Sequence, residues 1–85
     1  MWTKEECLKI EKLLGGRENI NEITNCFTRL HIQLLKIEED FESKKSELMK
    51  IKGVKGVFVR NKEVQLVIGI EAAAYEKELK KQLGI

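Results

Sequence analysis

Apolar positions recur along this chain with two different periods, and the switches between them mark its elements. Cys7, Ile10, Leu13 and Leu14 fall near helical spacing and form a stripe along a helix of about residues 4–14. Thr3, followed three positions later by Glu6, reads as a capping box at its start. Gly15-Gly16 ends it, because glycine readily takes the left-handed conformation that follows a helix. Over about 21–35 the period shortens to two. Leu30, Ile32 and Leu34 alternate with Arg29, His31 and Gln33, which sends the apolar set to a core and the polar set to water. Arg29 and His31 therefore share one face, about 7 Å apart along the strand. A first strand of about 21–25 carries Ile23 inward, and continuing its phase puts Cys26 on the outward side, at or just past the strand end.

Asp40 is placed to cap a second helix of about 41–50, which contains Phe41, Leu48 and Met49. Its apolar stripe is thin, interrupted by Lys44, Lys45 and Glu47, so this helix is expected to be the most exposed. Gly53 and Gly56 punctuate the entry to a third strand. Val57-Phe58-Val59 and Val64-Gln65-Leu66-Val67-Ile68 flank Arg60-Asn61-Lys62-Glu63, a hairpin in which Asn61 tolerates the positive φ of the turn. Val64, Leu66 and Ile68 face the core, which puts Gln65 on the polar face with Arg29 and His31. Ala72, Tyr75, Leu79 and Leu83 mark a last helix of about 71–82, stopped by Gly84. The order αββαββα predicts an α+β fold: a four-stranded antiparallel sheet with helices packed on one face.

Composition narrows the picture. Eighty-five residues make one small domain with a single core. Sixteen basic and fourteen acidic residues are interleaved, for a net charge of +2, and leave no broad electrostatic footprint for nucleic acid. No apolar run reaches the length of a membrane span, and the opening Met1-Trp2-Thr3-Lys4 has no signal-peptide pattern. Two cysteines without a framework point to free thiols in a reducing compartment. No phosphate-cradling G-x-x-x-x-G-K-[ST] loop is present, which removes an ordinary nucleotide site.

The chemistry concentrates in Asn25-Cys26-Phe27-Thr28-Arg29-Leu30. A thiol stands two residues before a hydroxyl and three before a guanidinium. Thiolate is the attacking species and nearby positive charge favours it. Arginine grips phosphate oxygens with parallel hydrogen bonds. The short Cys26–Thr28 connection would expose backbone amides, which form concave anion sites. Cys7, on the core stripe of the first helix, reads as packing. A metal site from Cys7, Cys26 and His31 would need three distant segments to converge, with no C-x-x-C pair to support it.

Three further blocks surround this one. Gly15-Gly16-Arg17-Glu18-Asn19-Ile20 lies upstream; Gly53-Val54-Lys55-Gly56-Val57 and Gln65-Leu66-Val67-Ile68-Gly69 lie downstream. Their order resembles the IIB domain of the glucose-type family of the bacterial sugar phosphotransferase system, whose pattern reads G-G-x-x-N-I, C-x-T-R-L-R, a G-V-x-G-V-like segment and Q-x-x-x-G. The likeness spans roughly residues 4–83 and implies the same αββαββα sheet. It implies that Cys26 accepts a phosphoryl group from a phosphohistidine of a IIA partner and donates it to a sugar held by a membrane IIC partner. Thr28 and Arg29 match positions beside the phosphate; Asn25, His31 and Gln65 are further candidates there. No metal or nucleotide cofactor is implied. The expected setting is cytoplasmic, at the inner face of the membrane, through association or fusion with IIC, with the isolated domain a monomer.

Three positions depart from the family pattern. His31 stands where a second arginine is usual, Lys36 where an acidic residue is common, and Asn61 where a turn glycine is usual; the connection after Lys36 is also a few residues longer. At His31 the imidazole would supply a proton-dependent charge in place of a fixed one, or, in a second reading, take the phosphoryl group itself. The departure leaves a divergent regulatory domain without onward transfer to sugar as an alternative function. A non-catalytic module binding RNA or a regulatory protein is another, although Phe27 and Phe58 are the only strand aromatics and make no convincing stacking pair.

Overall fold

The side chain of Thr3 starts the first helix: its hydroxyl accepts from the amide of Glu6 at 3.1 Å, and the Glu6 carboxylate accepts from the amide of Thr3 at 2.8 Å. In the computed structural model, which describes residues 1–85, this capping box opens α1 over Lys4–Leu13. Cys7, Ile10 and Leu14 bury one face, and Gly15 and Gly16 turn the chain away at φ 97° and 96°. The remaining elements are a short 3-10 turn at Arg17–Asn19, β1 (Ile20–Cys26), β2 (Arg29–Leu34), α2 (Glu42–Met49), β3 (Gly56–Arg60), β4 (Glu63–Val67) and α3 (Ala72–Leu83). The fold is α+β in the order αββαββα, as the hydrophobic periods predict.

The strands lie in the order β1-β2-β4-β3, every pair antiparallel. The two central strands are therefore the two with the strictest alternation. Leu30, Ile32, Leu34, Val64 and Leu66 turn to one face and are nearly sealed from solvent, whereas Arg29, His31, Gln33, Glu63, Gln65 and Val67 turn to the other. All three helices cover the apolar face. The core is entirely apolar, with no buried polar or charged residue. Each large side chain sealed there contributes about 1.5–3 kcal/mol, so truncating Leu66 to alanine would cost about 2–5 kcal/mol. The opposite face has no helix over it, and that bare face carries Arg29, His31 and Gln65.

Two details differ from the sequence reading. Asp40 does not cap α2: Phe41 occupies the N-cap position, with no side-chain hydrogen bond to the helix. Phe41 lies outside the helix and inserts into the core, 7% exposed, so aromatic burial sets where the chain enters α2. Trp2, for which the sequence suggested no role, is 3% exposed. Its indole donates to the carbonyl of Lys52 at 2.8 Å and meets Tyr75 edge-on at 4.8 Å, which pins the chain start to α3 and to the α2–β3 connection. Asn61 takes φ 57° in the β3–β4 turn and Gly84 closes α3 at φ 74°, both as predicted.

Candidate functional site

The β1–β2 hairpin closes on the pair Cys26 and Arg29, which face each other across the strands. Cross-strand partners share a face, so the thiol belongs to the bare side of the sheet. Cys26 is exposed and Cys7 is buried. Only Phe27 and Thr28 connect the strands. Phe27 adopts φ 55° and is 89% exposed, a conformation that costs an ordinary L-residue about 1–2 kcal/mol. The Thr28 carbonyl accepts from the amides of Ile68 and Gly69 at 2.8 and 2.9 Å. These bonds lash the exit of β4 beneath the hairpin, and the next residue, Ile70, projects into solvent at 91% exposure.

On the bare face the side chains form a connected series. Arg29 donates from Nη1 to Oε1 of Gln65 at 2.9 Å, and its guanidinium lies 4.9 Å from the centre of the Phe58 ring. Gln65 donates from Nε2 to Oε1 of Glu63 at 2.8 Å. The same Glu63 oxygen lies 3.3 Å from Nδ1 of His31. The carboxyl of Glu63 is held below its ordinary value chiefly by the Gln65 amide, with His31 and Arg60 adding to it and burial opposing. Because Gln65 is on β4 and Phe58 on β3, the guanidinium reaches across the sheet away from β1 and Cys26. Arg29 is thus the thiol's backbone neighbour while its charged end rests over the far strands.

Of the sequence candidates, Cys26, Thr28, Arg29, His31 and Gln65 gather at this hairpin and the face beside it. Asn25 does not join them. It pairs with Leu30 and so points to the helix side, where its amide donates to the Glu76 carboxylate of α3. Burial raises the Glu76 carboxyl, but hydrogen bonds from Lys80 and Asn25 outweigh it and leave the group below its ordinary value. In Cys7, burial foremost, with Glu78 and Glu6 behind it, pushes the thiol up to about 11.

Three neighbours escaped the sequence reading. Glu63 and Phe58 join the face only through the β3–β4 hairpin and its pairing with β2; parity with Gln65 was the available signal for Glu63. Lys55 is the third: a Cβ placed on Gly69 would lie 3.3 Å from its Nζ, so the ammonium crosses over the chain leaving β4. No pattern in the sequence announces it.

The G-G-x-x-N block serves architecture at the opposite end of the hairpin. Asn19 donates to the carbonyls of Leu14 and Lys36, both at 2.8 Å, and accepts from the Lys36 amide at 2.9 Å. One side chain thereby ties the end of α1 to the end of β2. A surface depression around Gly15, Asn19, Lys36 and Ile37 lies there, remote from Cys26. Asn19 uses only the backbone of Lys36, which explains why a lysine serves where acidic residues are common.

Comparisons with known proteins agree with this fold. Residues 9–37 match the family described as phosphotransferase system, EIIB. The chain is 40% identical over 68 residues to the N-acetylmuramic acid-specific EIIBC component of Pasteurella multocida, an alignment covering 80% of this chain and 14% of that protein. It is 32% identical over 75 residues to the phosphotransferase enzyme IIB component GlvB of Escherichia coli, covering 88% and 45%. One domain of a phosphotransferase-system IIabc component from Clostridium difficile has the same fold, with TM-score 0.68 and 23% identity, over 99% of this chain and 88% of that one. On these matches the chain is similar to glucose-type IIB components of the sugar phosphotransferase system. It spans under half the length of these curated relatives, and no helix in it is long and apolar enough to cross a membrane.

Proposed function

We propose that Cys26 is a phosphoryl carrier between a IIA phosphohistidine and a sugar bound by a membrane IIC partner. In the first step Sγ attacks phosphorus, an S–P bond forms, and the P–N bond breaks with its electron pair left on the imidazole. In the second a sugar hydroxyl oxygen attacks phosphorus, the S–P bond breaks to regenerate thiolate, and the hydroxyl proton leaves to base. The observation that carries this reading is an exposed thiol at a hairpin tip whose cross-strand backbone partner is an arginine, on a face with no helix over it.

Phosphoryl transfer leaves the protein mainly positioning and charge stabilisation. Arg29 supplies both by swinging back from Phe58 and Gln65 once a phosphate stands on Cys26. Its resting contacts are worth about 1–2 kcal/mol together, whereas each hydrogen bond to a charged phosphate oxygen is worth about 1.5–3 kcal/mol, so the anion wins. Thr28 contributes its hydroxyl, and His31 and Gln65 line the same face; the Asn25 amide is committed to Glu76. The exposed Phe27, next to the thiol in the chain, and the exposed Ile70, just past the bonds from Ile68 and Gly69 to Thr28, suit the two partners binding in turn.

The 85 residues form one phosphocarrier domain, free-standing or part of a larger permease, working at the cytoplasmic face of the membrane beside IIC. Several relatives are EIIBC or EIICB components, which supports that placement; their sugars differ, and the sugar specificity belongs to IIC. Intact-protein mass spectrometry after incubation with phosphoenolpyruvate and the general phosphotransfer proteins tests the reading. The expected result is a gain of one phosphate, lost in Cys26→Ser. Phosphate uptake by that variant at the wild-type rate would refute it. A transfer assay with matched IIC separates a carrier from a regulatory domain that keeps its phosphate, the reading favoured by the engagement of His31 with Glu63.

A further inference from the structure

A single carboxylate oxygen, Oε1 of Glu63, stands 2.8 Å from Nε2 of Gln65 and 3.3 Å from Nδ1 of His31. An ionised carboxylate only accepts hydrogen bonds, and a guanidinium only donates. Gln65 lies between the two, which determines its amide: nitrogen toward Glu63, oxygen toward Arg29. At 3.3 Å from Nδ1 of His31, the same carboxylate charge favours the ring proton on Nδ1, and in the neutral ring that leaves Nε2 as the bare lone pair. Free imidazole side chains in water favour the opposite tautomer, with the proton on Nε2. The pairing register supplies the other groups around the ring: Thr24 from β1, Arg29 and Gln33 from its own strand, Gln65 from β4 and Phe58 from β3, with Glu22 and Arg60 one row further along. Glu63 is the nearest carboxylate, and Arg29 and Arg60 are the cations of this face.

We propose that Glu63 is a positioning residue of the phosphoryl site: one oxygen sets the amide of Gln65, and through it the resting place of Arg29, while holding His31 in the Nδ1–H tautomer. His31 then offers Nε2 as its only free ring nitrogen, a hydrogen-bond acceptor when neutral and a hydrogen-bond donor to phosphate oxygen when protonated. Gln65, with its oxygen turned to Arg29, keeps one guanidinium nitrogen occupied and the others available. Glu63 touches neither thiol nor phosphate and acts only through these two neighbours. The role in transfer rests on the carrier function of Cys26; the side-chain arrangement does not.

His31 is the only histidine in the chain, so its ring nitrogens are observed without assignment ambiguity in a long-range proton–nitrogen NMR spectrum of the whole 85-residue protein. The expected wild-type spectrum of the neutral ring, recorded at alkaline pH, shows Nδ1 protonated and Nε2 bare. Glu63→Ala is expected to switch the ring to the Nε2–H tautomer and to shift the Gln65 side-chain amide resonances. Glu63→Gln, which keeps an acceptor oxygen, is expected to retain the Nδ1–H form. A wild-type ring protonated at Nε2, which requires no variant, overturns the proposal, as does an Ala variant with unchanged tautomer and unchanged Gln65 amide. In phosphoryl uptake by Cys26, Glu63→Ala is expected to lose roughly tenfold because the His31 ring and the Gln65 amide no longer present their set atoms to the phosphate, with Glu63→Gln recovering most of it; equal losses in both variants also overturn it. Were Cys26 not the acceptor, the kinetic arm would show no uptake in any chain while the spectra stayed as expected, so the two failures are distinguishable.

Discussion

Arg29 pairs with Cys26 through the backbone yet lays its guanidinium 4.9 Å from the centre of the Phe58 ring, on the far side of β4. The contact needs a planar cation, which stacks and forks as an ammonium does not. Arg29→Lys is expected to lower phosphoryl uptake by roughly tenfold to a hundredfold, measured by rapid-quench mass spectrometry. Phe58→Ala is expected to cost only about 0.5–1 kcal/mol in stability and to leave Arg29 freer to reach the thiol, so uptake should hold or rise. A collapse of uptake in Phe58→Ala would show that the stacked pose is itself the productive one.

The two thiols differ in reach and in chemistry. Cys26 is exposed, whereas burial, with Glu78 and Glu6, pushes Cys7 up to about 11. Alkylation with iodoacetamide at neutral pH is expected to modify Cys26 alone in the folded protein and both thiols once unfolded. Peptide mapping checks this, and comparable labelling of Cys7 in the native state would contradict it.

Gly15 sits at φ 97°, and a Cβ there would lie 2.7 Å from Nδ2 of Asn19. Gly15→Ala therefore strains the backbone and dislodges the side chain that joins α1 to β2. The expected loss is about 1–3 kcal/mol by urea denaturation, with little effect on Cys26 chemistry at the other end of the hairpin. An Ala variant as stable as wild type would mean that the junction relaxes freely.

Glu63 links stability to acidity. Its carboxyl lies below the ordinary value of 4.5 in the folded chain. A depressed carboxylate adds stability above its unfolded value and loses it as pH falls through the folded one. The melting-temperature gap between wild type and Glu63→Gln should be widest near neutral pH and close as the pH drops below about 4.5. A gap unchanged at about pH 3 would show that the charge of Glu63 is not what stabilises the fold.

Asn25 lies one residue from the thiol but faces the helices and donates to Glu76. Asn25→Ala is expected to leave phosphoryl uptake near the wild-type rate while lowering stability by about 0.5–1.5 kcal/mol. A large loss of uptake, with stability intact, would return Asn25 to the phosphate site.

Much of the architecture was written in periodicity. Leu30, Ile32, Leu34, Val64 and Leu66 commit both central strands to a face, because side chains alternate strictly along a strand; the same parity puts Cys26, Arg29, His31 and Gln65 opposite them. Thr3 with Glu6, and Gly84, marked helix ends through local hydrogen bonding and backbone freedom, which need no distant partner. Where long-range packing competed with a local signal, packing prevailed: burial of Phe41 displaced Asp40 from the cap, and Trp2 found Lys52 and Tyr75 far along the chain. What tertiary structure alone decided is the cast of the bare face. Register between strands distant in sequence brought Glu63 to His31, Gln65 to Arg29 and Phe58 beneath the guanidinium. Local sequence encodes which face a residue takes; which partner it meets there depends on how non-consecutive strands align, and that is settled only when the whole core closes.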